Sequence, residues 1–221
     1  MSRTPPHCIR FHIVYKEFFD LIKSFINEFE SLPEDKKVVL PVSSFLFNLA
    51  EQHLFPFTIK RSTTENKFFE IHKDLNKNKD KDKWFTFYEE ELKEIIKEEN
   101  KYFNECYKII HNFIDKFHKY WDLIYNKDIS FIINNKHLLF EYIPEQYVNS
   151  FIELFNLKDK KNNKLMNDEK MNLIWRYFTS MVKISIKHIY DERKLIDNKF
   201  TKVYFPDINI KELIEKWDVK I

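Results

Sequence analysis

Four polar residues share a spacing that suits cation chemistry: His111, Asp115, His118 and Asp122, set four, three and four positions apart. At 100° per residue on an α-helix they fall within about 60° of arc, on a single face. An imidazole nitrogen and a carboxylate oxygen one turn apart can chelate a divalent ion, and two such pairs facing a partner helix can build a site inside a bundle. The competing reading is a wet face, because the arc lies opposite Phe113, Phe117 and Tyr120. Neither His-Glu-x-x-His nor Glu-x-x-His occurs in the chain, so the wet face is the expectation. A metal-dependent enzyme using the four residues is the alternative.

Other groups with reactive chemistry read as structural. Glu90, Glu94 and Glu98 share a helical face, but nothing in their flanks buries them as a general acid requires. His188 and Glu192 stand one turn apart and read as a surface pair worth roughly 0.2–0.5 kcal/mol. Cys106 falls on the apolar side of a helix, with His111 on a different side, so a buried free thiol is expected rather than a nucleophile or a disulfide to Cys8. The chain has no Gly at all, which removes the Rossmann and P-loop phosphate cradles and the Gly-x-Ser-x-Gly elbow together. The expectation is no catalytic residue, no cofactor and no metal.

The elements that hold these residues read as helices. Phe11, Val14, Phe18, Leu21, Ile22, Phe25, Phe29 and Leu32 recur at steps of three and four, which marks an amphipathic helix ending before Pro33. A second helix is expected from Ser43 or Ser44 to His53, stopped by Pro56. Lys73–Lys83 has almost no apolar content and reads as a mobile insertion. Thr86 and Glu89 match a capping box, opening a helix whose apolar stripe runs to Tyr125. Ile129–Phe140 is apolar but of undetermined type. Pro144 precedes another helix, Lys158–Lys164 reads as solvated, and Asn167 or Asp168 caps a helix burying Met171, Ile174, Trp175, Phe178, Met181, Val182, Ser185 and Ile189. Phe200–Phe205 could form a short strand, and Asn209 with Glu212 opens a last helix to Trp217.

Composition bounds the partners. Lys and Arg number 37 against 35 Asp and Glu, a net charge of +2 that gives little field for nucleic acid. Nucleic-acid binding would need the Lys73–Lys83 and Lys158–Lys164 loops on one face. Val38–Ile59 carries only Glu51 as a charge, yet Pro41 and Pro56 interrupt it, short of the roughly 20 unbroken apolar residues of a membrane span. It reads as core. Met1–Arg10 lacks the apolar region of a secretory signal, so the cytosol is expected.

The segment Phe151–Met181, with Ile174-Trp175-Arg176-Tyr177-Phe178 at its centre, resembles uncharacterised helical proteins encoded by large nucleocytoplasmic DNA viruses. In those proteins a leucine-rich stretch and polar spacer precede an Ile-Trp-Lys-Tyr-Leu type motif, and here Arg176 and Phe178 replace the Lys and Leu. The resemblance implies viral origin, synthesis in the host cytoplasm and incorporation into particles. It brings no catalytic residues.

The expected architecture is all-α or nearly so: an irregular multi-helix bundle around one long central helix, with one short strand or β-hairpin allowed. It is read as a single domain over residues 1–221 with the insertion at 73–83, and lobes 1–72 and 84–221 are the alternative. The expected role is a non-enzymatic structural or interaction protein, a virion or assembly component with protein partners. The alternatives are a nucleic-acid-binding accessory protein and the metal-dependent enzyme; the sequence names no small-molecule ligand.

Overall fold

A computed structural model of the chain describes residues 7–32, 101, 104–139, 152–195 and 205–221. Among them the architecture is all-α, with no strand and one isolated antiparallel bridge, Lys158 to Lys164. The expected helix at 43–53, the insertion at 73–83, the capping box at Thr86, the Glu90–Glu98 face and the Pro144 start lie outside the described residues.

α1 (His7–Glu30) buries Phe11, Phe18, Ile22, Phe25 and Phe29 from the stripe read in the sequence, together with Cys8, Phe19 and Ile26. Its wide apolar face suits a helix covered on more than one side. α2 (104–117) buries Cys106, Ile110, Phe113, Ile114 and Phe117. A 3₁₀ turn, His118–Tyr120, follows, then α3 (Trp121–Tyr125). The described part of the expected Thr86–Tyr125 helix therefore ends where expected but is not one continuous α-helix. At the break, the His118 ring donates from Nδ1 to the Ile114 carbonyl, 2.9 Å away, and the tighter turn brings Trp121 and Ile124 into the core.

The apolar run after Ile129 resolves into two short helices, α4 (Ser130–Asn134) and α5 (Lys136–Leu139). Asp128, one residue before the N-cap Ile129, leads into α4 by accepting from the Ser130 N–H at 2.9 Å. Buried Asn135 breaks the run, its side-chain amide donating to the Phe131 carbonyl at 2.9 Å. The solvated Lys158–Lys164 segment is a turn organised by Asp159, whose carboxylate accepts from the Lys161 and Asn163 N–H groups.

α6 (Asp168–Leu195) starts where Asn167 Oδ1 accepts from the Lys170 N–H at 3.0 Å. It buries the residues expected of it from Ile174 to Ile189, Trp175 included, whereas Met171, expected to be buried as well, is only half-buried against the core because it lies in the first turn of the helix. α7 (Ile210–Lys216) is capped by Asn209, as its spacing with Glu212 predicts. Of the expected strand, only Phe205 is described, and it lies in a bend with φ of 56°.

α1 and α6 run antiparallel. His7 meets Asp191 at one end of the pair, and Lys170 meets Glu28 at the other. Phe11 against Phe113, at 5.0 Å between ring centres, brings α2 onto α1; Phe131 against Phe178, at 5.2 Å and edge-on, brings α4 onto α6. The C-terminal segment is strapped to α6, with Lys187 donating to the Lys220 carbonyl and Arg193 to the Ile208 carbonyl, both at 3.0 Å. No helix among the described residues is long and apolar enough to cross a membrane. Cys8 and Cys106 are both buried, and they form no disulfide among the described residues.

Candidate metal centre

The stripe that buries Met181 and Ser185 continues along α6 to His188, and Glu192 stands one turn further on. α2 crosses this end of α6 and presents Tyr107 and His111, also one turn apart. Two helices thus bring an imidazole from one against an imidazole and a carboxylate from the other, across 77 residues of sequence. His111 and Glu192 keep 15% and 18% of their side-chain exposure and His188 keeps 9%, so bulk water screens the group poorly.

The donor atoms converge. His111 Nε2 lies 3.1 Å from His188 Nε2 and 3.4 Å from Glu192 Oε2, and His188 Nε2 lies 3.5 Å from Glu192 Oε1. A tetrahedral ion bonded at about 2.0–2.1 Å sets its donors about 3.3 Å apart. The two separations from His111 Nε2, 3.1 and 3.4 Å, fall on either side of that value, while the approach to His188 is made by the other carboxylate oxygen, Oε1. Tyr107 donates its hydroxyl to Glu192 Oε1, whereas Oε2 is buried and has no hydrogen-bond donor. A buried carboxylate oxygen without a donor is costly and wants a cation. Phe205 packs tilted against His111 at 5.3 Å between ring centres, and His7 pairs with Asp191 at 2.6 Å.

The protonation states favour a cation as well. Burial pushes His188 down from 6.5 to about 4, against the pull of Glu192, while His111 and His7 push it further down. Burial raises the Glu192 carboxyl, but His111, Tyr107 and His188 together outweigh it and hold the group below its ordinary value. At neutral pH His188 is a free base and Glu192 an anion, the forms in which both bind metals. Burial pushes the Cys8 thiol up, which keeps that group protonated rather than nucleophilic.

A stability prediction follows from His188. Below pH 6.5 the unfolded chain takes up a proton that the folded chain refuses, so stability falls as pH drops from 6.5 towards 4. At full extent this amounts to about 3 kcal/mol. The melting temperature of metal-free protein is expected to fall over that window, and His188→Gln to flatten the slope. An unchanged slope in the variant would show that His188 is not the group responsible.

Of the four residues the spacing singled out, only His111 belongs to the cluster. Asp115 is exposed, His118 is turned to the Ile114 carbonyl, and Asp122 pairs with Lys216 Nζ at 2.8 Å. The end of α6 covers the helix at His111 but leaves Asp115 in solvent, and the 3₁₀ turn then alters the register the shared arc presumed. His188 and Glu192 are not the surface pair they were expected to be. One sequence signal pointed to them: His188 follows Ser185 by three positions and Met181 by seven, on the core stripe itself.

Two imidazoles and one carboxylate suit zinc and neighbouring divalent transition metals better than calcium or magnesium, which take oxygen ligands. No family model, curated protein or solved structure matches the chain.

Proposed function

We propose that this chain is a metal-binding helical protein in which His111, His188 and Glu192 hold one zinc-like divalent ion that pins α2 to the last turns of α6. The observation that carries the reading is that one donor atom from each of the three side chains lies within 4.8 Å of the others, with the two imidazole nitrogens 3.1 Å apart and the buried Glu192 Oε2, which has no hydrogen-bond donor, 3.4 Å from His111 Nε2. The role is structural and non-enzymatic, since donors this enclosed are better placed to fix two helices than to turn over substrate. Thermal unfolding of metal-depleted protein tests it. Zinc at about 100 times its dissociation constant is expected to add about 2.7 kcal/mol, a rise of about 5–10 °C for a chain of this size. A melting temperature indifferent to zinc would overturn the reading.

The resemblance of Phe151–Met181 supports placing this pinned bundle among the virion or assembly components of a large DNA virus, with protein partners in the host cytoplasm or particle. Ile129 and Ile133, one turn apart and 39% and 42% exposed, are apolar surface that such a partner could cover. Affinity capture from infected cells is expected to recover virus-encoded proteins; recovery of host proteins alone would contradict the placement.

A further inference from the structure

One side chain touches all three donors. Tyr107 stands one turn before His111 on α2 and stacks on its ring, with centres 4.1 Å apart and 25° between planes. The same ring meets His188 edge-on at 5.5 Å, and its hydroxyl donates to Glu192 Oε1.

We infer that Tyr107 determines which cations the centre accepts. The inference rests on the reading of His111, His188 and Glu192 as a metal centre. Tyr107 occupies one lone pair of Oε1, which lies 3.5 Å from His188 Nε2, so the oxygen left without a hydrogen bond, and offered to the ion, is Oε2, 3.4 Å from His111 Nε2. A one-oxygen carboxylate with two imidazoles leaves a single further position on a four-coordinate ion, the geometry zinc and cobalt(II) take readily. Calcium requires six to eight oxygens and often a bidentate carboxylate, and manganese(II) favours oxygen-rich octahedral sites; both lose the second oxygen here. The stack on His111 adds the second half of the effect, holding the ring so that Nε2 faces the other donors. Tyr107 is thus a positioning residue, acting on the ion through its ligands as outer-sphere partners do in other metal sites.

The test uses the full chain, metal-depleted, as wild type and as Tyr107→Phe, which keeps the stack and removes only the hydroxyl. Wild-type protein titrated with cobalt(II) is expected to show the intense visible bands of a four-coordinate ion. In Tyr107→Phe those bands should weaken towards a higher-coordinate spectrum, zinc affinity should fall about 10–100-fold, and the preference for zinc over manganese(II) should narrow. Equal spectra, affinities and preferences in the two proteins would overturn the assignment of Tyr107 while leaving the metal centre standing. A wild-type cobalt spectrum of six-coordinate type would overturn it whatever the variant does. Absence of binding in wild type would remove the centre and this inference together.

Discussion

Replacing Phe178 with Ala is expected to lower the unfolding free energy by about 3–5 kcal/mol, the usual cost of truncating a buried aromatic ring. Phe178 is 2% exposed and lies where three segments meet. Its ring packs at 5.1 Å from Phe18 on α1, at 5.2 Å edge-on to Phe131 on α4, and at 5.8 Å from Trp175 one turn back on α6. Ala would leave a cavity bounded by rings that cannot collapse into it without moving two other helices, and it would break three ring contacts at once. Against a total stability of about 5–15 kcal/mol for a folded domain, this is a large fraction. Urea denaturation followed by circular dichroism should show a lower midpoint with little change in slope. A loss below about 1 kcal/mol would mean that α1, α4 and α6 do not share a core at this ring.

The second large effect concerns Glu192. Glu192→Gln removes the one anionic donor while keeping a side chain of the same length that can still accept from Tyr107. Zinc affinity is expected to fall on the order of 100-fold or more, beyond the roughly 10–100-fold typical of outer-sphere changes. Metal-free stability should fall much less, because the Tyr107 hydrogen bond has a replacement acceptor and only the attraction of the neighbouring imidazoles for the carboxylate is lost. A large loss of metal affinity beside a small loss of metal-free stability separates a ligand from a packing residue. Calorimetric zinc titrations and melting curves of the two proteins read both. Equal zinc affinity in variant and wild type would show that Oε2 is not a donor.

The helices were legible in the sequence where their determinants are local. The three-and-four spacing of Phe11 to Phe29 and of Ile174 to Ile189 marks the buried faces of α1 and α6, and Asn167 and Asn209 stand where caps are required. The 3₁₀ turn at His118 was not legible, because it goes with a ring-to-carbonyl hydrogen bond and the inward packing of Trp121, neither of which alters the hydrophobic period. Nor could periodicity assign the type of the run after Ile129, which Asn135 divides into two helices too short to show a period.

The centre was half legible. His111 stood out because one helix face carried several ligand-type residues, yet its actual neighbours come from a helix 77 positions away, and one sequence without tertiary contacts does not specify that pairing. His188 and Glu192 were visible as an i, i+4 pair. Their meaning depended on burial: the same two residues on a wet face are a weak ion pair, and on the core stripe they meet the His111 imidazole of another helix.

Whether His111, His188 and Glu192 hold an ion is decided by metal stoichiometry. Full-length protein purified without chelator, incubated with zinc and freed of unbound ion should carry one zinc per chain by elemental analysis, and the double variant His111→Gln, His188→Gln should carry almost none. Wild-type protein without bound zinc, or a double variant that retains a full equivalent, would contradict the account.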